Sequence, residues 1–441
     1  MSEADRKVYK PKPVSGFPEW LPEVRMVEQQ WFDRIRKIFE SYGFCSIETP
    51  SVEELEVLTA KGEVDKEIYV IERLHKDDDD KSEARLALHF DQTVPLARYV
   101  AQRFNDLDFP FKRYQMQRVW RGERPQAGRF REFYQCDIDV INVDQLPLSF
   151  DADLAAIMCE ILLSLDIGKI QMQISNRKIL MGLCEGLGLS DPMPVTRAID
   201  KVEKIGIPAT REILVREGLS PTQIDTIMAF ASIKATDSSF AEKVRALGVQ
   251  NETLEQGIEE LSFVMDNLSH LPQGLVVADL SIVRGLDYYT GTVYETRFVD
   301  DPTYGSICSG GRYEDLAGNY INKSLPGVGI SIGFSRLFDY MRAKGALGTS
   351  RKCPTDILVC LPSEDRRAEA ASTARTLRGR GYNVELYHAD QKIKKQLGYA
   401  EKKGIPYVWF PPFEDGNPHE VKNMTTGEQA QADPKTWEKI E

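Results

Sequence analysis

Apolar side chains recur at spacings of three and four through Val24, Val27, Trp31, Ile35, Ile38 and Tyr42. That pattern predicts an amphipathic helix over residues 24–42, ended at Gly43. A short strand, Phe44 to Thr49, follows and stops at Pro50. Phe111 to Arg121 and Phe133 to Asn142 read as two strands of an antiparallel hairpin. Their connection, Gly122 to Glu132, is polar, holds Pro125 and Gly128, and is too long for a tight turn. The second strand alternates cleanly: Tyr134, Cys136, Ile138 and Val140 share one face, and Gln135, Asp137 and Asp139 the other.

Residues 150–168 and 176–270 look mostly helical, with breaks at Gly-Leu-Gly-Leu and Leu-Ser-Pro, and read as an inserted helical module. Strand character returns at Leu275–Leu280, Tyr289–Phe298 and Gly327–Phe334, the last running into a helix at Ser335–Lys344. Ala343 to Pro354 has the glycine, serine and proline content of a linker. Beyond it the pattern is βαβαβ: strands at Asp356–Leu361, Val384–Tyr387 and Pro406–Phe410, helices near Arg366–Arg380 and Gln391–Lys403. The expected fold is α+β, with a main domain from residues 1–170 and 271–345, a helical insertion over 171–270, and a small α/β domain over 354–441.

Composition narrows the function. No apolar run in the 441 residues approaches the ~18–20 of a membrane span, and the first residues show no secretory signal. Seven scattered cysteines without a C-x-x-C pair fit a reducing, cytoplasmic setting. The net charge of −12 argues against a protein that coats nucleic acid nonspecifically. Locally the balance reverses. Lys112 to Arg131 holds seven basic residues against the single acid Glu123, which points to a polyanion such as ATP or an RNA end.

Several chemistries find no support. There is no G-x-x-x-x-G-K-[ST] phosphate loop, and the five histidines form no H-E-x-x-H or i,i+4 pair. No metal-ligand set is expected. Four other features remain. Gly327, Gly329, Ser331 and Gly333 share one strand face, which is either packed tightly on a helix or a floor for a planar ring, with Arg336 just past it. The Gln135–Asp137–Asp139 face is either wet or the lining of a pocket beside Arg121, Arg124 and Arg129, whose guanidinium groups can hold phosphates bidentately. Arg284-Gly285-Leu286-Asp287-Tyr288-Tyr289 has the content of a ligand-facing loop. Ser309-Gly310-Gly311-Arg312-Tyr313 reads as a turn exposing backbone N–H groups.

Together these segments resemble the histidyl-tRNA synthetases, a family of class II aminoacyl-tRNA synthetases. Helix 24–42 with its strand is similar to the dimer motif, Arg121 to Phe133 to the ATP-binding hairpin, and Gly327 to Leu337 to the third class motif ending in its arginine. Arg284–Tyr289 and Gly310–Tyr313 look like the two signatures of the histidine enzymes. Asp91-Gln92-Thr93 and Asp139 carry aspartates where many bacterial members have glutamate, as in archaeal and eukaryotic members, while the Arg124-Pro125-Gln126 loop looks bacterial.

The resemblance implies a six-stranded antiparallel sheet with flanking helices, a helical insertion and a C-terminal anticodon-binding domain. It implies activation of L-histidine by ATP, with Mg²⁺ accompanying the nucleotide, transfer to tRNA(His), and a homodimer. By the same resemblance Arg121 and Arg284 hold the α-phosphate and the substrate carboxylate, Phe133 and Arg336 sandwich the adenine, and Glu123 orients ATP. Asp91, Thr93 and Gln135 hold the α-amino group, Asp139 and Tyr289 read the imidazole, and Arg124, Gln126 and Arg129 meet the tRNA acceptor end. The anticodon role of the last domain rests on the family and on Lys392, Lys394, Lys395, Lys402 and Lys403, which otherwise read as a solvated helix face. A non-catalytic relative, the histidine-sensing regulatory subunit of ATP phosphoribosyltransferase, is the alternative, as is a synthetase-like RNA-binding module. Retention of Arg121, Arg284, Arg336 and a C-terminal domain argues against both.

Overall fold

The structure is a computed structural model. It describes residues 10–59, 67–74, 85–283, 289–315, 317–318, 320–349 and 351–439. Two compact units emerge: one holds Phe32–Lys344, and the other holds Gly345–Glu441 with Glu19–Trp31. Among the described residues no helix is long and apolar enough to cross a membrane.

The periodicity of the first helix is realised as α1 (Pro22–Ser41), whose Ile35 and Phe39 have no solvent exposure. The strand after it is shorter than expected, β1 (Cys45–Ser46). Next come β2 (Val52–Glu54), α2 (Leu55–Thr59), β3 (Val70–Ile71), β4 (Leu86–Leu88) and α3 (Thr93–Gln102). The hairpin is β5 (Phe111–Trp120) and β6 (Glu132–Ile141), followed by α4 (Ser149–Ser164) and β7 (Ile170–Asn176). The helical stretch contains α5 (Arg177–Gly186), α6 (Met193–Ile199), α7 (Val202–Arg216), α8 (Pro221–Ala231), the two-residue β8 (Lys234–Ala235), α9 (Phe240–Arg245) and α10 (Glu252–Asn267). The unit closes with β9 (Val276–Asp279), β10 (Thr292–Phe298), β11 (Cys308–Tyr313), β12 (Gly327–Ile332) and α11 (Phe334–Ala343).

β2, β4 and β3 form a separate three-stranded antiparallel sheet, and the other strands form one sheet in the order β1-β5-β6-β12-β11-β10-β7-β9-β8. Its middle six strands, β5 to β7 in that order, are antiparallel throughout. β1 adds in parallel at one side, and β9 and β8 extend the other, so that neither long edge is left unpaired. Alternation sorts the residues of the middle strands. Ile138 and Val140 of β6 and Val328 and Ile332 of β12 are fully buried, as are Leu337 and Phe338 of α11 and Leu154 and Met158 of α4. The opposite face is polar, and it carries the site.

A central segment also departs from the sequence reading. Ser309–Tyr313, expected as a turn, is a central strand. Its glycines reflect close backbone approach: a Cβ on Gly310 would sit 2.1 Å from the Gly329 carbonyl oxygen.

The second unit contains β13 (Ile357–Val359), α12 (Arg367–Gly379), β14 (Val384–Leu386), α13 (Ile393–Lys403), β15 (Tyr407–Phe410), β16 (Glu420–Asn423) and β17 (Gln429–Gln431). The βαβαβ part is parallel around β13, as its pattern predicts. An antiparallel β16–β17 hairpin continues the sheet. Of its seven residues only Val421 is buried, so there was almost no apolar alternation to reveal it.

Candidate active site

The β5–β6 hairpin builds the site by register. Arg113 pairs with Asp139, Gln115 with Asp137 and Gln117 with Gln135. The rows continue across the sheet, Asp139 to Gly329 to Gly311 and Asp137 to Ser331 to Ser309. Side chains in register project to the same face, so one polar surface runs across four strands.

Arg113 lies fully buried, with Nη2 2.6 Å from Asp139 Oδ2, whose own side chain is 6% exposed. Tyr313 Oη donates to the other oxygen, Asp139 Oδ1, at 3.0 Å. The guanidinium is braced from behind: Arg113 Nη1 donates to Gln115 Oε1 (3.3 Å), and Gln115 Nε2 donates to Thr49 Oγ1 (3.0 Å). Gln117 Nε2 in turn donates to the Thr49 carbonyl at 2.7 Å. Arg113 is therefore a fixed, buried partner of Asp139 rather than a mobile cation.

A narrow cavity opens on this surface, about 270 Å³ with its open mouth included. Asp137, Asp139 and Ser331 line one side, Ser309, Tyr313 and Tyr289 another, and Thr93 enters from α3. The bare glycine strip proves partly filled. A Cβ on Gly329 would stand 2.0 Å from Asp139 Oδ1, and one on Gly327 2.3 Å from the Tyr313 ring. These two glycines make room for side chains of the neighbouring strands, which is a different role from helix packing or from a ring floor.

Burial dominates the electrostatics. It pushes the Asp139 carboxyl up to about 6, against the opposing pull of Arg113 and the Tyr313 hydroxyl. Asp137 is pushed up to about 7, again by burial first, with Arg113 and Ser331 opposing and the carboxyls of Asp139 and Asp91 adding to the rise. Asp91 is also raised by burial; the Val94 N–H, 3.1 Å from its Oδ1, and the charges of Arg121, His89 and Arg113 offset part of that. Asp91 thus stands within electrostatic reach of two arginines, Arg113, which is paired with Asp139, and Arg121 at the start of the hairpin loop.

Arg121 is positioned by its Nε, which donates to the Phe90 carbonyl at 3.0 Å, and its guanidinium carbon lies 5.2 Å from the Phe133 ring centre. The Tyr134 N–H donates to Ser335 Oγ at 2.8 Å, so the chain next to Phe133 is tied to the chain next to Arg336. Arg336 lies 4.9 Å from the Tyr304 ring centre and donates to the Tyr304 carbonyl; burial lowers its pKa, and its Nε is buried without a partner. The charges of Arg129 and Glu123 reach it as well. Arg129 Nη1 sits 3.2 Å from Glu123 Oε2. Gly128, at φ +67°, brings the hairpin loop against this group: its Cβ would fall 2.1 Å from Tyr304 Oη.

The expected residues divide accordingly. Thr93, Asp139 and Tyr289 line the cavity. Gln135 donates to the lining Ser331 at 2.9 Å, and Asp91, partly buried, interacts electrostatically with Arg121, His89 and Arg113. Arg121 and Phe133 form one cluster, and Glu123, Arg129 and Arg336 another. Arg124 and Gln126 lie exposed on the loop. Arg284 falls outside the described residues. Asp137, expected only as part of a face either wet or lining a pocket, lines the cavity, while Arg113 and the Tyr313 hydroxyl had no expected role. The signal for Arg113 was the alternation Arg113-Gln115-Gln117, a second polar face that hairpin pairing had to lay beside Gln135-Asp137-Asp139. Arg312, by contrast, turns away from the cavity. Its Nε donates to Asp151 (3.1 Å) and its Nη1 and Nη2 to the Leu146 and Pro147 carbonyls (3.1 Å each), tying β11 to α4.

An antiparallel sheet with an arginine-bearing hairpin on one side and a strand-to-helix element ending in a half-buried arginine on the other is the catalytic fold of a class II aminoacyl-tRNA synthetase. Comparison with known proteins narrows this. A family profile described as histidyl-tRNA synthetase matches residues 16–337, and one described as an anticodon binding domain matches residues 356–437. The chain is 60% identical over 435 residues to a histidine–tRNA ligase of Thermobifida fusca, covering 98% of this chain and 99% of that one. A counterpart in Micrococcus luteus is 48% identical, covering 96% and 95%. The crystal structure of histidyl-tRNA synthetase from Nostoc sp. PCC 7120 superposes with a TM-score of 0.87 at 38% identity, over 97% of each chain. An ATP phosphoribosyltransferase regulatory subunit/histidyl-tRNA synthetase from Bacillus halodurans shares the fold at 22% identity and TM-score 0.74, over 89% of this chain and 97% of that one. The chain belongs to the histidyl-tRNA synthetase family.

Proposed function

We propose that L-histidine binds in the cavity between Asp139, Tyr313 and Thr93, and that ATP lies along Arg121, Phe133, Glu123 and Arg336. The chain is a histidine–tRNA ligase. The carboxylate of histidine attacks the α-phosphate of ATP, giving histidyl-adenylate and pyrophosphate, and the histidyl group then passes to the 3′ end of tRNA(His). The alternative reading as a regulatory subunit has less support, because its likeness is at 22% identity and extends to the fold alone.

The observation that carries the site assignment is the Arg113–Asp139–Tyr313 cluster, a buried carboxylate held at both oxygens beside a small cavity. A fixed, buried acceptor rejects an amino acid that cannot fill it, by roughly 10⁴–10⁵ where a site is built to hydrogen-bond its substrate. In the proposed arrangement Asp139 and Tyr289 face the imidazole, while Asp91, Thr93 and Gln135 hold the α-amino group. Arg121 and Arg284 neutralise charge on the α-phosphate and the substrate carboxylate. Phe133 and Arg336 flank the adenine, Glu123 orients the nucleotide, and Mg²⁺ arrives with ATP. Phosphoryl chemistry of this kind needs positioning and positive charge rather than a protein nucleophile. Arg124, Gln126 and Arg129 belong to the loop proposed to meet the acceptor end.

The further assignments are a cytoplasmic homodimer, with residues 1–170 and 271–345 catalytic and 354–441 contacting the anticodon; of the expected insertion 171–270, residues 171–176 belong to β7 of the catalytic sheet, which leaves the helical stretch from Arg177 onward as the insertion. The experiment that tests the function is pyrophosphate exchange into ATP with each amino acid in turn. Exchange with histidine alone is the expected result; histidine binding without exchange would favour the regulatory reading.

A further inference from the structure

Within the cavity the two aspartates of β6 are in different states. Asp139 has both oxygens engaged by the protein, Oδ1 by Tyr313 and Oδ2 by Arg113. Asp137, two residues earlier on the same face, is 4% exposed and its Oδ1 is buried with no hydrogen-bond partner. Its other support comes from Ser331, across the β6–β12 pair. A buried carboxylate oxygen without a donor is costly, of the order of 1–3 kcal/mol or more for a charged group, and because Asp137 lines the cavity a ligand there can supply that donor.

We propose that Asp137 is a specificity-determining residue whose Oδ1 accepts a hydrogen bond from a ring N–H of the bound histidine. This rests on the reading that histidine occupies this cavity. Side chains two apart on a strand are about 6.6 Å apart at their Cα atoms, so an imidazole lying between Asp137 and Asp139 can present one nitrogen to each. Histidine carries two kinds of nitrogen donor, the ammonium and the ring. The ammonium has its own proposed acceptors in Asp91, Thr93 and Gln135, and of these only Thr93 lines the cavity. Asp137 and Asp139 both line it, together with the rings of Tyr289 and Tyr313. The imidazole is the donor that fits this end.

The test is pyrophosphate exchange with Asp137→Ala, Asp137→Asn and Asp139→Asn, with imidazolepropionate, which is histidine without its α-amino group, as a competing inhibitor. The expected result is a rise of about 10–100-fold in the KM for histidine in Asp137→Ala. A smaller rise is expected in Asp137→Asn, which keeps an acceptor oxygen. The KM for ATP should change less than twofold, which also reports that the variants are folded. The inhibition constant of imidazolepropionate should rise by the same factor as the histidine KM. A histidine KM that rises while the imidazolepropionate constant stays fixed would move Asp137 to the ammonium and overturn the proposal. If Asp139→Asn raises the histidine KM and Asp137→Ala does not, this assignment falls and the cavity remains the histidine site. If neither variant moves it, the cavity reading falls as well.

Discussion

Arg113 and Asp139 meet at 2.6 Å across the first two antiparallel strands of the sheet, both almost completely withdrawn from solvent. An arginine in a basic hairpin would ordinarily be assigned to a phosphate. Here it is committed to a carboxylate and braced by Gln115, so its contribution to function is to keep Asp139 ionised and fixed in direction.

Removing one partner of a buried ion pair leaves the other charge without compensation. Arg113→Met is therefore expected to lower stability by about 3–5 kcal/mol in urea denaturation. The double variant Arg113→Met/Asp139→Leu should recover most of that loss, since no isolated charge remains. A single variant within about 0.5 kcal/mol of the parent would show that the pair contributes nothing.

Stability should also depend on pH through Asp137. Its carboxyl is pushed up to about 7 in the folded protein from an ordinary value of 3.8, chiefly by burial. The folded state then binds this proton more tightly than the unfolded chain does. The contribution is complete below about pH 4 and is lost as pH rises through about 7. Asp137→Asn removes the titration, so the variant should gain on the parent by on the order of 1–3 kcal/mol between pH 5 and pH 8. Thermal melts at the two pH values check this, and a difference that does not change with pH would contradict it.

Arg121 lies over the Phe133 ring, and its charge reaches Asp91. Arg121→Ala should reduce the rate of histidine-dependent pyrophosphate exchange by about 10²–10³, the usual cost of losing one positioned donor to developing negative charge. Near-normal exchange in that variant would remove Arg121 from the phosphate site.

Two glycines offer orthogonal lesions. Gly329→Ala would drive a methyl group to 2.0 Å from Asp139 Oδ1, and Gly128→Ala would place one 2.1 Å from Tyr304 Oη at a position whose φ is +67°. The first should raise the KM for histidine with little change for ATP. The second should raise the KM for ATP with little change for histidine, because it displaces the loop lying against Arg336. The reverse pattern would show that the two clusters have been assigned the wrong ligands.

The outline of this fold was legible where a period was sustained. The helix at 22–41, the hairpin strands and the βαβαβ of the second unit each show several successive apolar positions in register with their element. Legibility failed where a strand lacks side chains or has none to bury. Gly310 and Gly311 in β11 looked like a turn because they are small, yet they are small because β12 and Tyr289 press on them. The hairpin β16–β17 buries one residue and left no pattern. For the site, the polar face of β6 announced itself by alternation, whereas the role of Arg113 depends on the pairing Arg113–Asp139 between strands, which one strand read alone does not contain.

The most direct measurement is the pair of KM values, for histidine and for ATP, of Asp139→Asn in the pyrophosphate exchange assay. If the cavity on β6 and β12 is where the amino acid is recognised, the histidine value should rise by about 100-fold while the ATP value stays within threefold. Equal rises for both substrates would take Asp139 out of the imidazole pocket and contradict the account.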